Sequence, residues 1–89
     1  MFTQKISNAF KALSDPIRRD ILIKLKSKNL TPGELALHFP ISKPSLSHHL
    51  NILKNANLID SEKNGQKIYY SLNSPVFYDI INQFLNKFE

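Results

Sequence analysis

Apolar residues recur at helical spacing from the start of the chain. Ile6, Ala9, Phe10 and Leu13 form one stripe and predict an amphipathic helix that stops at Ser14-Asp15-Pro16. There Ser or Asp can cap a new helix, and Pro suits a first turn in which its missing N–H is not needed. The second helix turns Ile17, Ile21, Leu22 and Leu25 inward, with Arg18, Arg19, Asp20, Lys24 and Lys26 expected on a solvated face. Thr31-Pro32-Gly33-Glu34 reads as a capping box, the Thr hydroxyl taking the third amide and Glu reaching back. A short third helix is expected to carry Leu35, Ala36 and Phe39 and to end at Pro40. Ser42-Lys43-Pro44-Ser45 repeats the start signal and opens a fourth helix with Leu46, Leu50 and Leu53 on one face. Two helices joined by a turn of a few residues make a helix-turn-helix.

After Asn57 the pattern changes. The β-prone runs Leu58 to Lys63 and Gln66 to Leu72 flank Asn64-Gly65, two residues that accept the positive φ of a tight turn, so a β-hairpin is expected to turn on that pair. Of the adjacent Tyr69 and Tyr70, Tyr70 is expected to pack on the helices with Ile68 and Leu72 rather than to stack on a base. From Pro75 the chain is helical again, and Val76, Phe77, Ile80, Ile81, Phe84, Leu85 and Phe88 cover more of the circumference than one core needs. Such a helix wants a second apolar neighbour. Ile6, Phe10, Phe77, Ile81, Phe84, Leu85 and Phe88 are therefore the expected contacts with a second copy of the chain. The order is α-α-α-α-β-β-α, a mainly α fold with a small β-hairpin wing (α+β). No repeat or linker divides residues 1–89, which predicts one domain.

Composition narrows the function. A chain of 89 residues buries only about 60–65% of its unfolded surface, which makes further burial against a partner plausible. The absence of cysteine excludes disulfides, thiolate zinc sites and cysteine nucleophiles. Met1-Phe2-Thr3-Gln4-Lys5 begins no apolar leader and no run of 18 apolar residues follows, so a soluble, cytoplasmic protein without membrane insertion is expected. A formal charge of +5 and a pI near 9.6 favour a polyanionic partner.

Three strings, in order, carry a family resemblance. Ala12 to Leu22 (ALSDPIRRDIL) resembles the second-helix signature of the ArsR family of bacterial repressors, with Ile17 where Thr is more usual. Ile41 to Lys54 (ISKPSLSHHLNILK) resembles the family's recognition helix, and Asn64 to Leu72 (NGQKIYYSL) resembles its wing. Within the family the Ser-Lys-Pro-Ser-x-Ser-His-His-Leu string and the short length are most similar to the SdpR-type subfamily of autorepressors. The resemblance implies a winged helix-turn-helix that binds double-stranded DNA, with no metal requirement and no cofactor. ArsR-type metal sensors use cysteine clusters near the second and third helices or Asp and His ligands on the last helix. Here the last helix offers only Asp79 and Glu89.

Turning Leu46, Leu50 and Leu53 inward leaves Pro44, His48, Asn51 and Asn55 on the opposite face, flanked by Ser45, Ser47 and Ile52. Short hydroxyls let a helix approach the major-groove floor, Asn pairs with adenine, and His donates to guanine acceptors. Ser42, Lys43, Pro44, Ser45, Ser47, His48 and Asn51 are thus the candidate DNA-binding residues of the helix, with Ser42 as its cap. Lys63, Gln66 and Lys67 are the wing candidates, toward phosphate or the minor groove. His48 and His49 point about 100° apart and cannot clamp one metal as an i, i+4 pair would. His49 is expected to lean toward the core and make a structural hydrogen bond, and His38 to lie on the surface. Neither a catalytic constellation nor a glycine-rich phosphate loop is present, so no enzyme activity is expected.

Two function classes follow. The first is a homodimer, joined through its first and last helices, that represses transcription at a palindromic operator. The alternative is a winged-helix protein–protein adaptor without specific DNA binding, whose basic charge is incidental. A dimerisation module or degenerate enzyme fragment would leave the exposed Ser-His-Asn face unexplained. The inducing signal, whether protein or small molecule, is not written in the chain.

Overall fold

Short polar side chains set the helix starts. The computed structural model describes residues 3–88, which form α1 (Gln4–Leu13), α2 (Pro16–Ser27), α3 (Pro32–Ala36), α4 (Lys43–Asn55), β1 (Ile59–Asn64), β2 (Lys67–Leu72) and α5 (Ser74–Asn86). Asp15 Oδ1 accepts from the amides of Ile17 at 2.8 Å and Arg18 at 3.2 Å. The Thr31 hydroxyl accepts from the Glu34 amide at 3.1 Å while the Glu34 carboxylate accepts from the Thr31 amide at 2.9 Å, closing the capping box. Ser42 Oγ takes the Ser45 amide at 3.2 Å, and Asn73 Oδ1 takes that of Val76 at 3.2 Å. Each of these bonds satisfies an amide that the first helical turn leaves without an internal partner.

The core is one cluster that draws on every element. Leu22 and Leu25 of α2, Leu35 of α3, Leu46, Leu50 and Leu53 of α4, Leu58 and Ile59 at the start of β1, and Ile80 of α5 are all buried in it. Ala9 and Ala12 of α1 join them fully covered, and their small size lets α1 lie against both α2 and α4. Phe39 and Ile41, half-buried on the same cluster, pin the turn between α3 and α4.

The exit from α4 is a Schellman motif. Asn57 adopts φ +62°, its amide donates to the Lys54 carbonyl at 2.9 Å, and the Leu58 amide donates to the Leu53 carbonyl at 3.1 Å. The buried Leu53 and Leu58 supply the apolar pair of that motif, so the chain leaves the helix and enters β1 at once. Lys54 Nζ then donates to Ser61 Oγ on β1 at 2.7 Å. In the antiparallel hairpin Ile59 faces Leu72 at the root and Asn64 faces Lys67 at the tip. Leu30, between α2 and α3, pairs with the far side of β2 through two bonds to Tyr70, of 3.1 and 2.8 Å.

Three expectations are corrected here. The hairpin turns on Gly65-Gln66, not on Asn64-Gly65: Asn64 pairs with Lys67, and Gly65 alone in the loop has positive φ, at +67°, the pattern of a turn that needs glycine at its first central position. The third helix ends at Ala36 rather than running to Pro40; the Leu37 and His38 amides bond three residues back, and Pro40 disfavours a helical Phe39. Ile68 is 45% exposed instead of packing with Tyr70 and Leu72, because it sits opposite Lys63 near the tip, beyond the helices.

Candidate nucleic-acid interface

The capped turn before α4 presents a small polar surface. With Leu46, Leu50 and Leu53 buried, Ser42, Lys43, Pro44, Ser45, Ser47, His48, Asn51 and Asn55 are all exposed. The sequence-based candidates on the helix are therefore all accessible, Ser42 to Ser45 at its N-terminal end and Ser47, His48 and Asn51 farther along it. Ser42 both caps the helix and donates its hydroxyl proton to Ser45 Oγ at 3.0 Å. The first turn carries no acidic residue and starts with Lys43, so the positive end of the helix dipole is not offset there. Lys63, Gln66 and Lys67 are likewise exposed and cluster around the wing turn, at the end of the hairpin farthest from the core.

Behind this surface lies a buried cation. Arg18, expected on a solvated face, is only 9% exposed. Its Nε donates to the Ala12 carbonyl at 2.7 Å and its Nη2 to the Lys11 carbonyl at 3.2 Å, at the C-terminal end of α1; Nη1 lies 3.2 Å from His49 Nδ1 on α4. Residue type argued for solvent, but spacing argued otherwise: position 18 precedes Ile21 by three residues and Leu22 by four, on the inward stripe of α2. His49 makes the structural hydrogen bond expected of it, while His48 and His38 are exposed.

Two carboxylates in the same framework are held in their charged form. Partial burial pushes the Asp15 carboxyl up, but the amides of Arg18 and Ile17 and the charge of Arg18 outweigh it, leaving the group below the usual carboxylate range. Glu34 is held low by the Thr31 amide and hydroxyl, with Lys28 and Lys67 contributing at longer range against a small cost of desolvation.

The apolar candidates divide. Ile6 is 2% exposed and belongs to the core of the single chain, so it has no area left to offer a second copy. Phe10, Phe77, Ile81 and Phe84 are half-buried, while Leu85 is 52% and Phe88 73% exposed. Phe10 of α1 meets Phe84 of α5 edge-on with ring centres 4.7 Å apart, and Phe84 meets Phe88 at 5.0 Å. Lys5 and Asp79 add an exposed ion pair at 3.9 Å along the same two helices. Among the described residues no group of three or more His, Asp or Glu side chains could hold a metal; Glu89 lies outside them. No helix among those residues is long and apolar enough to cross a membrane.

Residues 15–61 match the family described as bacterial regulatory protein, arsR family. The chain is 58% identical over 81 residues to the transcriptional repressor SdpR of Bacillus subtilis, an overlap of 91% of this chain and 90% of that one. It is 42% identical over 86 residues to the arsenical resistance operon repressor of Staphylococcus xylosus, covering 97% and 82%. Its fold matches an ArsR-like transcriptional regulator from a Rhodococcus species with a TM-score of 0.86 at 28% identity, covering 92% and 75%. A homodimeric winged helix-turn-helix DNA-binding domain from Mycobacterium bovis shares the fold, with a TM-score of 0.77 at 21% identity and coverage of 93% and 79%. The relatives and the fold are those of transcriptional regulators, not enzymes.

Proposed function

Since the chain belongs to the arsR family of bacterial regulatory proteins, we propose that it acts in the cytoplasm as a metal-independent homodimeric repressor, one domain per chain, at a two-fold symmetric operator. The observation that carries this reading is the exposed Ser-His-Asn face of α4, held at a capped turn and accompanied by a cationic wing tip. Ser45, Ser47, His48 and Asn51 are short enough to let the helix approach the groove floor and between them offer donors and acceptors to base edges. Ser42 and Lys43, at the positive end of the helix dipole, suit phosphate, as do Lys63, Gln66 and Lys67 of the wing.

One chain offers one recognition helix. Pairing α1 and α5 with those of a second copy, through Phe10, Phe77, Ile81, Phe84, Leu85 and Phe88, would present two such helices to successive major grooves about 34–36 Å apart. The operator would then be an inverted repeat. Metal independence rests on the absence of cysteine and on a last helix without histidine, and a repressor without those ligands suits repression of its own gene.

The test is selection of binding sites from random double-stranded DNA by the purified, metal-free protein at near-physiological salt. An inverted repeat with half-sites about one helical turn apart is expected. Nothing enriched, together with binding that is indifferent to salt, would instead favour a protein–protein adaptor.

A further inference from the structure

Arg18 ties together two helices with different tasks. Its guanidinium grips the Ala12 and Lys11 carbonyls of α1 and the His49 ring of α4, all from a buried position on α2. A guanidinium has donors only and stays charged, so His49 Nδ1 must be the acceptor and the neutral ring carries its proton on Nε2. The planar fork fixes these directions relative to one another.

We infer that Arg18 is a positioning residue for operator recognition: through His49 it sets the rotation of α4 on α1. The inference rests on the dimeric DNA-binding reading above. Packing alone does not ask for arginine here, because an apolar side chain of similar size would fill the space without burying a charge. The charge is accommodated by carbonyls at the negative end of α1, so the bonds that stabilise Arg18 are the same ones that orient it. His49 is adjacent to His48 and within one turn of Ser45, Ser47 and Asn51, so its anchoring governs where those side chains fall. A rotation of α4 by about 10° would carry them about 1 Å at the helix surface, enough to break a hydrogen bond to a base edge. Because α1 also carries part of the proposed two-fold contact, the same link sets the separation of the two recognition helices.

His49 separates this role from simple capping of α1 by Arg18, which would not involve the ring. His49→Asn places an amide oxygen where Nδ1 stood and keeps the acceptor, whereas His49→Leu removes the acceptor and keeps the bulk. Both variants, with Arg18→Met, would be titrated as intact dimers on the selected operator and on versions one base pair longer or shorter between half-sites. His49→Leu and Arg18→Met should bind the native spacing about tenfold more weakly, discriminate less between spacings, and hold nonspecific DNA as wild type does. His49→Asn should stay within about threefold of wild type in affinity and keep the spacing preference. Wild-type affinity and spacing preference in His49→Leu would overturn the inference, as would an equal loss in His49→Asn. If Arg18→Met fails to fold, the two His49 variants decide the question alone. A wild-type protein that selects no operator refutes the dimeric reading and this inference together; an operator that His49→Leu reads as well as wild type refutes the inference only.

Discussion

Asn57 carries a quantitative prediction because its contribution is almost wholly backbone. It is exposed, stands at φ +62°, and occupies the position of the Schellman motif that releases the chain from α4 into β1. A left-handed backbone costs an ordinary L-residue about 1–2 kcal/mol; asparagine, whose side chain bonds locally, pays less, and glycine pays none of it. Asn57→Ala should therefore destabilise the fold by about 1 kcal/mol, with no packing term to blur the result. Asn57→Gly should be neutral or stabilising by a few tenths of a kcal/mol, since its greater freedom when unfolded offsets part of the gain. In a domain of this size about 1 kcal/mol corresponds to a Tm change of about 4–8 °C. Thermal melts followed by circular dichroism, at one fixed protomer concentration because dimers melt in a concentration-dependent way, would read the order Gly, Asn, Ala. An Asn57→Ala protein melting with or above wild type would refute the argument that this cap needs a residue tolerant of positive φ.

On the proposed function, removing both Ser47 and His48 by alanine substitution would delete about four base contacts from a two-fold dimer. At about 1 kcal/mol each this amounts to a loss near a thousandfold in operator affinity, read by titration, and wild-type affinity would sink the groove assignment. Lys63→Ala with Lys67→Ala should lower the slope of log affinity against log salt by about 3.6 if each lysine in both copies neutralises one phosphate, leaving sequence preference intact. Asp15 has a depressed folded pKa, so its stabilising contribution is present above the ordinary carboxylate value of about 3.9 and is lost as pH falls through the folded value. Asp15→Asn should accordingly flatten the acid limb of a Tm against pH curve, and an unchanged limb would remove Asp15 from the account. Phe84→Glu puts a charge among Phe10 and Phe88 and should yield a monomer or an unfolded chain in sedimentation; a stable dimer would refute the proposed interface.

Local chemistry made much of this fold legible in the chain. The helix starts at Asp15, Thr31 and Ser42 are capping events between residues two or three apart, so no knowledge of tertiary structure was needed to find them. The α4 surface followed for the same reason, since turning Leu46, Leu50 and Leu53 inward leaves one choice for Ser45, Ser47, His48 and Asn51. What escaped depends on distant partners. The hairpin slips one residue from the Asn-Gly pair because register is set at the root, where Ile59 and Leu72 meet the core. Arg18 is buried because the end of α1 and His49 supply its acceptors, and Asn57 is left-handed because Leu58 must reach back to Leu53.

The pairing of Leu30 with Tyr70 has a consequence for the order of folding. These residues are joined by two backbone bonds but separated by about forty residues of chain, so closing that loop carries an entropic cost which the local helices and hairpin do not bear. The wing would zip up from its own turn early and dock against the segment before α3 late. Once docked, the Leu30 and Tyr70 amides should exchange with solvent hydrogen far more slowly than those at the hairpin tip, although Leu30 lies between helices. The root of the wing and the approach to the helix-turn-helix would thus open as one cooperative unit, while the tip that carries Lys63 and Lys67 would open independently of it.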